Sequence, residues 1–377
     1  MSLARRGAVL ACAALLSGCS YIPFLGDSAK KPSPLIDIQA KVTPVTVWSA
    51  SVGKAGGMRF VPEADGARVY TAAADGTISI LEQETGRLIA RLDAKKKLSS
   101  GAAAEAGTIL VGTIKGEVLA FDVAGKPLWS ASLGGEVLAP ATITRQGVLV
   151  RTADGRIYSL ALATGKRNWV YQRATPSLLL RAESGVVVTP TNVVAGYPGG
   201  KLIALDLDDG KLTWEVTVSL PRGSTELERV ADVAGLPVIE GGRICAAAFQ
   251  GKVACFEVQG GSTVWARDIS SATGLALDEK SAYVSDDADN VHALDRASGA
   301  SRWKQDKLLR RKLTVPVVSG GKVIVGDSLG YLHVLSPEDG AFLGRAATDG
   351  TAVNALVATK AGVLVQTAGG TLSLVRF

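Results

Sequence analysis

From Val148 to Trp169 the chain reads VLVRTADGRIYSLALATGKRNW: an apolar run, an Asp-Gly turn, a second apolar run, a glycine turn and a tryptophan. Each run has the length of a buried strand rather than of a helix, and turn residues bound it on both sides. The same unit recurs through most of the chain. Two-residue turns fall at Asp75-Gly76, Lys115-Gly116, Asp154-Gly155, Gly199-Gly200, Gln250-Gly251, Asp289-Asn290, Leu329-Gly330 and Gly369-Gly370. Seven end in glycine and one in asparagine, residues that accept the positive φ needed at the second position of a type I′ hairpin. A second glycine follows at 86, 125, 165, 210, 261, 299 and 340, and four residues after five of these stands a tryptophan: Trp129, Trp169, Trp214, Trp265 and Trp303. Trp48 completes the set of six.

Eight hairpins at a spacing near 40 residues, each half of a four-stranded sheet, predict an all-β chain folded as an eight-bladed β-propeller, the radial arrangement that protects sheet edges. A β-sandwich does not require so regular a long period. The last repeat stops at Phe377 after its third strand, and Trp48 lies in VTPVTVWSA with no strands of its own before it. Residues near 44 to 51 are therefore expected to supply the outer strand of the final blade and to close the ring. A tryptophan at a fixed repeat position is read as the packing contact between neighbouring blades. Ala90 and Gly344 replace it in two blades, where the contact should be thinner. Asp122, Asp206 and Asp295 recur at one repeat position and read as turn-forming carboxylates.

The spacing also marks an irregularity. Successive hairpin glycine or asparagine positions differ by 40, 39, 45, 51, 39, 40 and 40 residues, so two neighbouring repeats carry the insertions. Both lengthen the connector from the outer strand of one blade to the inner strand of the next, on one rim. The first contains PSLLLRAES, Pro176 to Ser184; the second reads LPRGSTELERVADVAG, Leu220 to Gly235. Long loops in a tight array are more often functional than incidental. Leu178 and Leu180 with Arg181, facing a second loop that holds Arg222, Glu226, Glu228, Arg229 and Asp232, have the composition of an interface anchor and its charged rim. The competing reading folds the leucines back onto the blade.

The first residues place the chain. Arg5 and Arg6 precede an apolar run, Gly7 to Leu16, and then Leu-Ser-Gly-Cys ending at Cys19. That is a secretory signal with a lipoprotein cleavage site, too short to span a bilayer, and no later stretch is long or apolar enough to do so. Cys19 is the expected lipid attachment. By its similarity to bacterial lipoproteins, Ser20 in place of an aspartate implies the outer membrane. Residues 1–18 then form the signal, 19–43, with KKPSP inside them, a lipidated flexible tether, and 44–377 the propeller. A net charge of +6 before cleavage calls for no nucleic acid partner in an exported protein.

Little else carries chemistry. His292 and His333 take nearly the same place in two repeats, too far apart around a ring to share a metal, and no glycine-rich phosphate loop opens a helix. Cys245 and Cys255 flank the Gln250-Gly251 turn. A cross-strand disulfide is open to them in an oxidising compartment, and two small buried thiols are the plainer account.

The repeats ADGRIYSLALATGKRNW and VGDSLGYLHVLSPEDG resemble propellers of the quinoprotein type in general. Together with the lipoprotein start and, in this order, SLLLRAES and GSTELERVADV, the whole mature chain resembles the BamB family, lipoproteins of the outer-membrane β-barrel assembly (BAM) machinery. The resemblance implies a non-enzymatic scaffold without cofactor or metal, facing the periplasm. It also implies a contact between the two long loops and a POTRA domain of BamA, and by matching positions it assigns that contact to Leu178, Leu180, Arg181 and Asp232. Arg229 joins them from the composition of the second loop. Family members often have a further carboxylate where this chain has Ala234. Unfolded outer-membrane protein clients are further expected partners, by strand addition to a blade edge. The alternative is a periplasmic oxidoreductase dependent on the quinone cofactor PQQ, for which the resemblance would demand an adjacent Cys-Cys pair that the chain lacks.

Overall fold

The computed structural model describes residues 31–377 apart from Thr175, Ser177, Ala182 and Glu183, so the signal and Cys19 lie outside the described residues. The described chain is all strand and turn, and its strands form eight separate four-stranded antiparallel sheets. Blades one to seven span 63–93, 103–132, 142–171, 187–217, 238–267, 275–305 and 317–347. Blade eight takes three strands from the C-terminal end, Val353–Thr359, Gly362–Thr367 and Thr371–Arg376, and its outer strand, Val45–Ser51, from the other end. Val45 pairs with Arg376 and Ser51 with Thr371, which closes the ring as expected.

The hairpins differ from the expected two-residue primed turns. At Gly76, Gly116, Gly155, Gly330 and Gly370 the glycine N–H closes a turn onto the carbonyl three residues earlier, and the glycine itself has positive φ. This is a three-residue loop in which a type I turn is followed by a glycine bulge. In blade six Asp289, with φ of 69°, takes the bulge position, one residue before the expected Asn290. Asp122, Asp206 and Asp295 do accept turn N–H groups: Asp122 from Ala124 and Lys126 at 2.9 Å, Asp206 from Asp208 at 2.9 Å, and Asp295 from Ser298 at 2.9 Å.

Middle strands are buried on both faces because a neighbouring blade covers each; Glu117–Asp122 is buried from Val118 to Phe121. Outer strands alternate in exposure, as in Pro127–Ser132. The six tryptophans share one place on the outer strands, each over a turn glycine of the next blade, as Trp48 lies over Gly86 and Trp303 over Gly340. Five donate Nε1–H to a carbonyl there, namely those of Gln83, Leu162, Leu207, Arg296 and Pro337, at 2.7–3.2 Å. Where Ala90 stands instead, Leu92 covers Gly125. Gly344 lies at the seam, where the chain ends replace the next blade's turn: a Cβ there would run into the carbonyl oxygen of Val42. Cys245 and Cys255 are directly opposite on adjacent strands of blade five and are joined as a disulfide, so the buried-thiol reading gives way.

Residues 31–43, expected as part of a free tether, instead lie along blade seven. Ser33 N–H bonds to Leu309 O at 2.9 Å, and the N–H groups of Lys41 and Val42 bond to Leu343 O at 2.8 and 2.9 Å. Arg311 donates to Ser33 O at 2.8 Å and Arg345 to Ile36 O at 3.0 Å. Both guanidiniums belong to a cluster under the segment: Arg311 pairs with Asp327 at 2.6 Å, His333 Nε2 meets the same carboxylate at 2.9 Å, and Arg345 Nε approaches His333 Nδ1 at 3.4 Å. That geometry requires a neutral imidazole with its proton on Nε2.

Burial pushes His333 below the usual histidine value, with Arg345 and Arg311 adding to the effect and Asp327 opposing it. The unfolded chain then binds a proton more readily than the folded one, so this site's stability is complete above pH about 6.5 and is lost as pH falls below it. Burial raises Asp327, but hydrogen bonds from His333, Tyr331 N–H and Arg311 outweigh it and leave it lowered, so its contribution is lost only at more acid pH, below about 3.9. Urea unfolding at pH 7.5 and pH 5.5 is expected to show a loss at the lower pH that His333→Gln reduces. An unchanged pH dependence in that variant would contradict the assignment.

Candidate functional site

The described residues of the two long connectors, within 172–186 and 218–237, meet at Leu180 and Asp232 on the rim that also carries the hairpin turns between second and third strands. What joins them is Asp232. Its side chain is buried, accepting the Leu180 N–H on Oδ2 at 2.7 Å and the Gly199 N–H on Oδ1 at 3.1 Å, while its backbone carbonyl accepts the Phe249 N–H at 2.9 Å. One carboxylate thus fixes the first connector to the second and both to the blade-four hairpin. Asp232 sits beneath the loops rather than on their surface.

The other expected residues divide by exposure. Leu178 is 42% exposed, Leu180 and Leu179 are half-buried, and Arg181 is exposed. Leu179 and Leu180 border a small cleft with Arg151, Pro198, Asp232 and Val233, so part of the run does fold back while Leu178 points outward. Arg181 reaches Glu136 of the preceding connector at 3.1 Å, an exposed pair of little energetic weight. Arg229 closes its own loop by donating Nε–H to Gly223 O at 3.0 Å and enters no ion pair among the described residues. That loop is a short turn capped by Glu228, whose Oε2 accepts the N–H groups of Ser224 at 2.7 Å and Thr225 at 3.1 Å. Ala234 lies on the wall of the axial cavity.

Sequence reasoning missed the support under the first connector. Arg151 is buried at the end of the second strand of blade three and donates to Ser184 Oγ at 3.2 Å and Gly196 O at 2.5 Å. Its guanidinium lies 5.0 Å from the ring centroid of Tyr197, whose hydroxyl donates to Gly155 O at 2.6 Å. The signal was present: the same repeat position holds Ala72, Gly112, Gly196, Ala247, Ser285, Gly326 and Gln366 in the other blades. Exposed leucines of the second connector were missed as well. Leu220 is 65%, Leu227 67% and Leu236 44% exposed, on the same rim as Leu178.

Through the ring axis runs a cavity of about 720 Å³ that opens beside Leu180 and Arg181. Val61, Val186, Leu236, Leu275, Val317 and Leu356 give it a mainly apolar wall. Arg59, Glu63 and Arg181 also line it, and the disulfide lies in the core between blades five and six, not on that wall.

A family model described as "Outer membrane protein assembly factor BamB" matches residues 74–305. The protein of that name from Bordetella pertussis is 41% identical over 374 residues, covering 98% of this chain and 97% of the relative. Among solved structures, BamB from Moraxella catarrhalis superposes with a TM-score of 0.82 at 26% identity, covering 89% of this chain and all of that one. The quinohemoprotein alcohol dehydrogenase of Comamonas testosteroni gives a TM-score of 0.70 at 13% identity, covering 88% of this chain and 76% of the enzyme, a likeness of fold alone. A rim built by two long connectors on an eight-bladed ring thus comes with matches over nearly the whole chain, and the protein belongs to the BamB family of outer membrane protein assembly factors.

Proposed function

We propose that this chain is a non-enzymatic scaffold of outer-membrane protein assembly. Anchored through lipid on Cys19 and facing the periplasm, it docks its connector rim on the POTRA region of BamA and assists folding and insertion of β-barrel proteins. The name shared by its relatives supports the assembly role. The observation that carries the docking is the Asp232 bridge, which orders two long loops into one surface with Leu178 outward and Arg181 beside it. An ordered surface binds without the entropy loss of arranging its loops at that moment. Leu220 and Leu227 extend the apolar part of the same rim, and Arg229, at the end of the capped turn, supplies charge at its edge.

Calorimetric titration of the chain from Ser20 onward with a purified POTRA region tests this. Saturable binding with a negative heat-capacity change, the mark of apolar burial, is the expected result. No binding at concentrations up to about 1 mM, an affinity of about 4 kcal/mol, would overturn it.

A further inference from the structure

The docked N-terminal segment changes where the lipid leash leaves the propeller. Strand Val45–Ser51 begins on the rim opposite the connectors, since Val45 pairs with Arg376 and Ser51 with Thr371, next to the last hairpin. A chain free up to Pro44 would therefore depart from that opposite rim. Residues 31–43 instead run back across the edge of blade seven. Val42 sits by Leu343, at the start of the outer strand Phe342–Ala347, and Ser33 sits by Leu309, in the connector from blade six to blade seven. Lys31 O accepts from Arg310 Nε of that connector at 3.0 Å.

We propose that this strap moves the origin of the leash to the connector rim and holds that rim near the phospholipid surface in which Cys19 is anchored. The inference rests on the lipid-anchor reading of Cys19. The 12 residue-to-residue steps from Cys19 to Lys31 reach at most about 40 Å, whereas the 25 steps from Cys19 to Pro44 would reach about 85 Å. The strap halves the tether as well as changing its side. Its hold is built almost wholly on main-chain groups: the carbonyls of Lys31, Ser33 and Ile36 each take an arginine, and three N–H groups bond to propeller carbonyls. Pro32 and Pro34 keep the segment extended before it docks, which lowers the entropy lost on docking. Lys307 pairs with Asp306 and Arg310 is engaged by Lys31 O of the strap, and the position is set by the covalent leash.

The test uses full-length lipidated protein in vesicles that carry a fluorescent acceptor on the headgroups. A donor is placed at Lys307→Cys on the connector rim or at Thr164→Cys on the opposite rim. Energy transfer is expected to be at least twofold higher from position 307. Arg310→Ala with Arg345→Ala, or, if that pair unfolds, Ser33→Pro with Lys41→Pro, which remove two of the bonded N–H groups, should reduce or reverse that difference. Equal transfer from both positions in the unaltered strap, or a difference that survives its release, overturns the proposal. Failure to bind vesicles would remove the anchor reading, and with it the bilayer as the rim's partner. Hydrogen exchange judges the strap separately: the Ser33, Lys41 and Val42 amides should exchange at least 100-fold more slowly than in a free peptide, and free-peptide rates would sink it.

Discussion

Arg181→Glu is expected to weaken binding to the POTRA region by at least about 100-fold, about 2.7 kcal/mol, while moving the melting temperature by no more than about 2 °C. The two halves of that expectation come from different parts of the structure. Arg181 is exposed and its one ion pair, to Glu136, is a surface contact, so the fold loses at most about 1 kcal/mol when it is removed. On the proposed docking face the exposed arginine follows outward-pointing Leu178 by three residues, and an arginine near an apolar anchor is the kind of residue that carries most of a docking energy. Reversal also sets a carboxylate against Glu136, a repulsion that further turns the surface from its docking arrangement. Titration calorimetry and a thermal melt on the same preparation check both halves. A folded variant that binds as tightly as the parent would remove Arg181 from the site.

The second large effect is indirect. Asp232→Ala takes away both acceptors that hold Leu180 and Gly199 and leaves two part-buried N–H groups without these partners, a local loss of about 1–3 kcal/mol. The first connector then loosens, and binding falls by an amount similar to the Arg181 variant although Asp232 itself is buried. Asp232→Asn should be nearly as harmful, because each carboxylate oxygen accepts from a different N–H group and the amide nitrogen would confront one of them donor to donor. The measurement that separates positioning from contact is made without the partner. Hydrogen exchange at the Leu180 amide and tryptic cleavage after Arg181 should both accelerate in the free variant. Lost binding with unchanged exchange and cleavage would mean that Asp232 touches the partner directly.

How much of this was legible in the sequence depended on whether a feature repeats. The blade count, the ring closure through residues 44 to 51 and the shared place of the six tryptophans all follow from periodic positions, and the structure has each of them. The turn type did not follow: an Asp-Gly pair serves a two-residue primed turn and a three-residue bulged loop alike, and Asp289 can occupy the bulge that glycine fills elsewhere. The Cys245–Cys255 pairing depended on register, which a one-residue shift would have changed. The strap was missed because its contacts are main-chain carbonyls and amides, which leave no mark in side-chain pattern; KKPSP reads the same free or docked. Within the site, composition located the two loops but not the division of labour inside them, since Asp232 and Arg229 look alike as loop charges until one is seen buried and the other exposed. Arg151 was findable, as an arginine where seven blades have smaller or uncharged residues.

The connector rim is the proposed docking face. A photo-cross-linking residue at position 178 in living cells, with a control at Thr164 on the opposite rim, addresses it most directly. One strong adduct to an outer-membrane β-barrel protein bearing POTRA domains, from position 178 and not from 164, is the predicted result. An adduct to that protein from 164 alone, or none from 178 while the chain is folded and at the membrane, would contradict it.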